Sequence, residues 1–121
     1  FKGRVHFQIS PCINDELDKL SAIDEKSELL SNILKVIDKA IHTNYKIYPG
    51  NYIAYDILDG QKRFADRYTN KDQTTFANYL NSQLAKIPDV TSKDKDFLKE
   101  RILSMYANPL KNQLIALGQE A

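Results

Sequence analysis

Residues 26–45 read Lys26-Ser27-Glu28-Leu29-Leu30-Ser31-Asn32-Ile33-Leu34-Lys35-Val36-Ile37-Asp38-Lys39-Ala40-Ile41-His42-Thr43-Asn44-Tyr45. Leu30, Ile33, Leu34, Ile37, Ala40 and Ile41 recur at three- and four-residue spacing, the stripe of a helix that faces a core. This is the strongest periodic signal in the chain, and it sets the fold class as helical. Working outward, a shorter helix is predicted from Asn14 to about Leu20, with Asn14 as N-cap and Asp15 and Glu16 in its first turn. Downstream, Pro49-Gly50 breaks the long helix. Asn51 then caps a helix running to about Leu58 and ended by Asp59-Gly60. Thr69 with Asp72 resembles a capping box, opening a helix to about Lys86 that carries Phe76, Tyr79, Leu80, Leu84 and Ile87. Pro88 closes it. Thr91-Ser92 starts another to about Tyr106, with Phe97, Leu98, Arg101, Ile102 and Met105 on one face. Asn108-Pro109 reads as a turn plus the first residue of a final short helix bearing Leu110, Leu114, Ile115 and Leu117.

One segment breaks this pattern. Arg4-Val5-His6-Phe7-Gln8-Ile9 alternates polar and apolar, with Val5, Phe7 and Ile9 on one side, and Ser10-Pro11 stops it. That is the period of a β-strand. No second strand follows, and a lone strand leaves its backbone groups unpaired. The predicted fold is therefore mainly α: a compact bundle of about five to six helices preceded by one strand over 4–9. The strand would belong to an upstream sheet or pair between copies of the chain. The chain starts at Phe1 and its only methionine is Met105. The expectation is a piece of a longer protein, with residues 1–11 continuing from an upstream domain and 12–121 forming the helical domain.

With 121 residues, 42% hydrophobic and 27% charged, the composition is that of one globular unit and excludes a disordered chain. Seventeen basic against sixteen acidic residues leave a net charge of +1, which supplies no electrostatic drive toward nucleic acid. The single cysteine, Cys12, excludes a disulfide framework and a thiolate metal site, and suits a reducing compartment. No apolar run approaches the ~20 residues of a membrane span.

Residues that could carry chemistry are few. His6 and His42 have no His or Cys at ligand spacing, so no metal is expected, and no Gly-rich loop or other cofactor motif occurs. Asp38 lies four residues before His42, on the same helical face, where it could orient the imidazole as a general base. The alternative is a histidine placed at a helix C-terminus by the macrodipole. Cys12 reads as a small packing residue. The densest feature is Tyr45, Tyr48, Asn51, Tyr52, Tyr55 and Asp56, in a stretch holding four of the seven tyrosines. Such a cluster can build a protein or ligand interface, or a hydrogen-bonded aromatic seam between helices, with Asp56 in reach of the Tyr52 hydroxyl. Lys62, Arg63 and Arg67 could meet an anionic surface, although beside Asp66 they read as a solvated face.

The strings Gly3-Arg4-Val5-His6-Phe7, Ile37-Asp38-Lys39-Ala40-Ile41-His42-Thr43-Asn44-Tyr45-Lys46, Tyr48-Pro49, Asn51-Tyr52-Ile53-Ala54-Tyr55-Asp56, Tyr68-Thr69 and Met105-Tyr106-Ala107-Asn108-Pro109 occur in that order. The set resembles the C-terminal end of bacterial lysophospholipid acyltransferases of the 1-acylglycerol-3-phosphate acyltransferase type, in the branch often labelled hemolysin-like. The resemblance runs from the alternating segment to about Asn112. It implies a parent enzyme of phospholipid biosynthesis, peripheral on the cytoplasmic face of the inner membrane. That enzyme would move an acyl group from acyl-CoA or acyl carrier protein to a lysophospholipid. Such enzymes act through a His-x4-Asp signature in an upstream α/β domain, and the signature is missing here: five residues beyond His6 stands Pro11, and five beyond His42 stands Ile47. The resemblance therefore implies a non-catalytic helical region whose partners are the upstream domain and, through it, a membrane surface. Self-association through the strand is a further partner expectation. A stand-alone interaction module using the tyrosine-rich segment 45–55 is the alternative reading.

Overall fold

A computed structural model of the chain describes residues 3–88 and 91–121, so Phe1 lies outside the described residues. Five α-helices occur among them: α1 (Asn14–Lys19), α2 (Lys26–Asn44), α3 (Pro49–Asp59), α4 (Asn70–Ala85) and α5 (Ser92–Ala116). Two 3-10 turns, Leu20–Ala22 and Ala65–Arg67, complete the regular structure. The mainly helical class follows the sequence reading. The strand does not. Residues 4–9 form no strand, and no strand occurs among the described residues. Strand geometry is held by pairing with a neighbour, and no strand among the described residues pairs with this segment. Val5, Phe7 and Ile9 accordingly stand in the open, Phe7 and Ile9 each 91% exposed.

The chain divides into two units: residues up to Lys46 together with Gln113–Glu120, and Ile47–Asn112 together with Ala121. In the first, α1, the turn at Leu20–Ala22 and α2 lie against one another. Asn14 is the first helical residue of α1 rather than its cap, a place taken by Ile13 without a side-chain bond. The cap of α2 is Glu25, whose carboxylate accepts the amides of Ser27 and Glu28 and is held below the usual carboxylate range by them. α2 is amphipathic as its sequence requires, but its apolar positions divide. Leu29, Ile33, Val36 and Ala40 are half-buried, whereas Leu30, Leu34, Ile37 and Ile41 are exposed, and no α2 residue is fully buried. The expectation of a core-facing stripe thus holds for only part of it, because a helix with two apolar rows needs two covered sides.

The second unit holds most of the core: Ile53, Ala54 and Tyr55 on α3, Phe76 and Leu80 on α4, and Leu103, Ala107 and Leu110 on α5. α3 begins at Pro49, not after Asn51. The proline's fixed φ and missing N–H suit the first helical position. Asn51 still works at that end, two residues further in: its Oδ1 accepts the Tyr48 N–H at 2.8 Å. Gly60 closes α3 at φ 70°, the left-handed region that glycine enters without strain. The Thr69–Asp72 capping box forms as read, with Asp72 N–H donating to Thr69 Oγ1 at 3.1 Å and Thr69 N–H to Asp72 Oδ2 at 2.9 Å.

α5 departs most from its prediction. It runs unbroken through Pro109, where a turn and a new helix were expected. Leu103, Ala107, Leu110 and Leu114 are buried at spacings of four, three and four, one row in phase on both sides of the proline. An interior proline costs ~3 kcal/mol, and each buried leucine returns ~1.5–3 kcal/mol. Burial wins. The face predicted from Phe97 to Met105 divides: Phe97 and Met105 are 56% and 61% exposed, with the Arg101 guanidinium 5.0 Å over the Phe97 ring, whereas Leu98 and Ile102 are half-buried.

Candidate functional site

The six residues of the tyrosine-rich stretch divide between the two units. Tyr45 belongs to the first unit and Tyr48, Asn51, Tyr52, Tyr55 and Asp56 to the second. In the first unit the Gln113 side-chain amide donates to the carbonyls of His42 (3.0 Å) and Tyr45 (2.9 Å), closing the end of α2. His42 packs edge-on against Tyr45, ring centroids 5.6 Å apart, and burial pushes the Tyr45 hydroxyl's pKa up. The His42 Nδ1 atom is buried with no hydrogen-bond partner, while Asp38 is exposed. A general base needs its imidazole oriented by a hydrogen-bonded carboxylate. The structure does not supply that bond to Nδ1. Cys12 is exposed, which corrects its reading as a packing residue.

In the second unit the stretch is spent on internal bonds. Asn51 Nδ2 donates to the Tyr106 carbonyl at 2.7 Å, tying the start of α3 to α5. Tyr52 and Tyr55 both pack on Phe64, at 5.3 and 5.4 Å between centroids, and the Arg67 guanidinium lies 6.0 Å over Tyr52. Asp56 is 4% exposed, and its carboxylate accepts the Phe64 N–H (3.1 and 3.2 Å) and the Tyr68 hydroxyl (2.7 Å). Its hydroxyl partner is thus Tyr68 and not Tyr52. One helical turn places Tyr52 beside Asp56 in principle, but its ring is turned to Phe64 instead. Desolvation first, and then the bond to Asp56, push the Tyr68 hydroxyl's pKa up. The carboxylate so latches a strap, residues 60–68, against α3.

Beside this latch lies a half-open cavity of about 520 Å³. Its apolar wall is built from Ile53, Ile57, Phe76 and Leu80, and its charged lining residues are Asp56, Lys62 and Lys99. Lys99 and Gln73 are no part of the sequence reading, and Lys62 figures there beside Arg63 and Arg67, as a contact for an anionic surface or a solvated face. The feature that joins them is a packing of α3, α4, the strap and α5, for which no local spacing gives a sign. A second long-range pair couples α4 to α5: Tyr106 donates to the Tyr79 hydroxyl at 2.7 Å, with the rings edge-to-face at 5.8 Å.

Protein-family models, curated proteins and solved structures were each compared with the chain, and none matches.

The Tyr79–Tyr106 pair gives a pH test of this packing. Desolvation, followed by the bond and charge of Tyr79, push the Tyr106 pKa from 10.0 to about 12. A phenol raised in the folded state contributes stability that is fully present below pH ~10 and is lost as pH climbs through its folded value. In an absorbance titration the Tyr106 phenol is expected to ionise near pH 12, with unfolding setting in as the pH climbs from ~10 toward that value. Tyr79→Phe should bring that step down; a single transition near pH 10 for all tyrosines would contradict the pairing.

Proposed function

We propose that this chain is the non-catalytic helical C-terminal region of a bacterial lysophospholipid acyltransferase, docked through its first unit against the α/β domain that carries the chemistry. The observation that supports the reading most is the uncovered apolar surface of that unit: Val5, Phe7 and Ile9, together with Leu30, Leu34, Ile37 and Ile41 of α2, all exposed. Isolated exposed apolar residues are ordinary, but a whole helical row of them, in a unit that also exposes an alternating apolar segment, points to an interface. The segment 4–9 has the period of a strand and pairs with no strand among the described residues, and a sheet edge in another domain would supply such a strand. The order of sequence strings adds the family. The absence of a His-x4-Asp spacing, and of a hydrogen bond to His42 Nδ1, supports a role without chemistry of its own. Among the described residues no helix is long and apolar enough to cross a membrane, so membrane association would be a property of the parent.

The rival reading, a stand-alone module binding through residues 45–55, has less behind it, since Asn51, Tyr52, Tyr55 and Asp56 are engaged inside the second unit. Incubated with acyl-CoA or acyl carrier protein and lysophosphatidic acid, the chain is expected to show no transfer. The encoding reading frame is expected to carry a His-x4-Asp upstream of Phe1. Robust turnover by these residues alone, or a start codon directly ahead of Phe1, would overturn the proposal.

A further inference from the structure

The cavity beside Asp56 carries charges that the docking role leaves unused. It lies wholly within the second unit, and at about 520 Å³ it falls in the ~300–1,000 Å³ range of small-molecule pockets. Phe76 and Leu80 in its wall are 7% and 3% exposed, so the apolar surface is set by the core and not by mobile side chains. Two ammonium groups line it, Lys62 from the strap and Lys99 from α5, and neither has an ion-pair partner among the described residues. Against them stands one carboxylate, Asp56, whose oxygens are taken up by the Phe64 amide and the Tyr68 hydroxyl. Two cationic linings against one anionic leave the cavity positive by one charge. The Gln73 and Asn81 side chains add neutral amide donors.

We propose that this cavity binds a small soluble anionic amphiphile: an apolar body against Ile53, Phe76 and Leu80, and one sulfonate, phosphate or carboxylate head held by Lys62 and Lys99. The apolar wall supplies area-proportional affinity with little selectivity. The unpaired lysines supply the discrimination, since each gains a charge-assisted bond that it lacks in the free protein. A cation of the same shape would meet like charges, and a neutral analogue would leave the lysines as they were.

The test uses two probes with one apolar skeleton, anilinonaphthalene sulfonate and its uncharged relative phenylnaphthylamine, titrated into the whole chain and followed by fluorescence and by amide NMR spectra. The sulfonate is expected to saturate a single site and to shift the amides of Gly60, Gln61, Ala77 and Asn81. The neutral probe should bind about tenfold more weakly. Replacing Lys62→Ala and Lys99→Ala together, both exposed positions, should abolish that difference without moving the thermal midpoint. Equal affinity of the two probes, undiminished binding by the double variant, or shifts confined to residues 30–41 of α2 would overturn the proposal. So would capture by phosphatidylglycerol vesicles with no binding of the free sulfonate, which would make the ligand a lipid surface.

Discussion

Asp56→Ala is expected to lower the unfolding free energy by about 3 kcal/mol, read from the midpoint and slope of urea denaturation. The carboxylate is 4% exposed and accepts bonds from two groups far along the chain, the Phe64 amide and the Tyr68 hydroxyl. Hydrogen bonds to a charged group contribute ~1.5–3 kcal/mol, and deleting the acceptor leaves donors that have already lost water. The strap also loses its tie to α3, so the Phe64 ring gives up its packing on Tyr52 and Tyr55. Asp56→Asn keeps one acceptor oxygen and should cost about half as much. Tyr68→Phe removes one bond and should cost ~1–1.5 kcal/mol. Tyr52→Phe separates the two accounts of Asp56: it should be near neutral, whereas a local Tyr52–Asp56 bond would make it as costly as Tyr68→Phe. An Asp56→Ala variant within ~0.5 kcal/mol of the parent chain would refute the latch.

Leu110→Ala is expected to destabilise by ~3 kcal/mol, within the ~2–5 kcal/mol of buried leucine truncations. Leu110 is 2% exposed and follows immediately on Pro109. If the helix ended at Asn108, as the proline suggests, Leu110 would sit on a peripheral terminal turn and its truncation would cost under ~1 kcal/mol. Met105→Ala, one turn earlier on the same helix but 61% exposed, serves as the control and should change stability by less than ~0.5 kcal/mol. Equal small effects for both would mean that α5 is not continuous through the proline.

These contrasts show where local reading succeeds. The Thr69–Asp72 box was legible because both partners lie within one turn, and the energy that sets it is local. The same holds for the stop at Gly60, whose left-handed conformation is a property of the residue itself. Pro109 was misread for the opposite reason. Its local penalty is real, but a buried row from Leu103 to Leu114 outweighs it, and that row exists only when other elements cover it. Of the face read on α5, Phe97 and Met105 lie outward while Leu98 and Ile102 are half-buried, and all four are as apolar as the residues that are buried. Periodicity identifies a stripe without saying what lies against it.

The candidate sites divide the same way. His42 and Asp38 share a helical face by spacing alone, yet the imidazole turns toward Tyr45 and its Nδ1 has no partner. The tyrosine-rich stretch was visible as a composition anomaly. That its residues fall in two units, with Tyr45 in one and Tyr55 in the other, was not.

By itself the amino-acid sequence determined the helical class, the helix of residues 26–44, the capping box at Thr69 and the absence of a His-x4-Asp pair. Each of these is decided by residues within about five positions of one another, where the backbone already holds the groups together. Only the tertiary structure decided that Asp56 bonds Tyr68, that Lys62 and Lys99 border one cavity, that α5 crosses Pro109, and that residues 4–9 and one row of α2 stay uncovered. Those outcomes depend on which surfaces meet between residues well separated along the chain, a competition between burial and desolvation that no local spacing records.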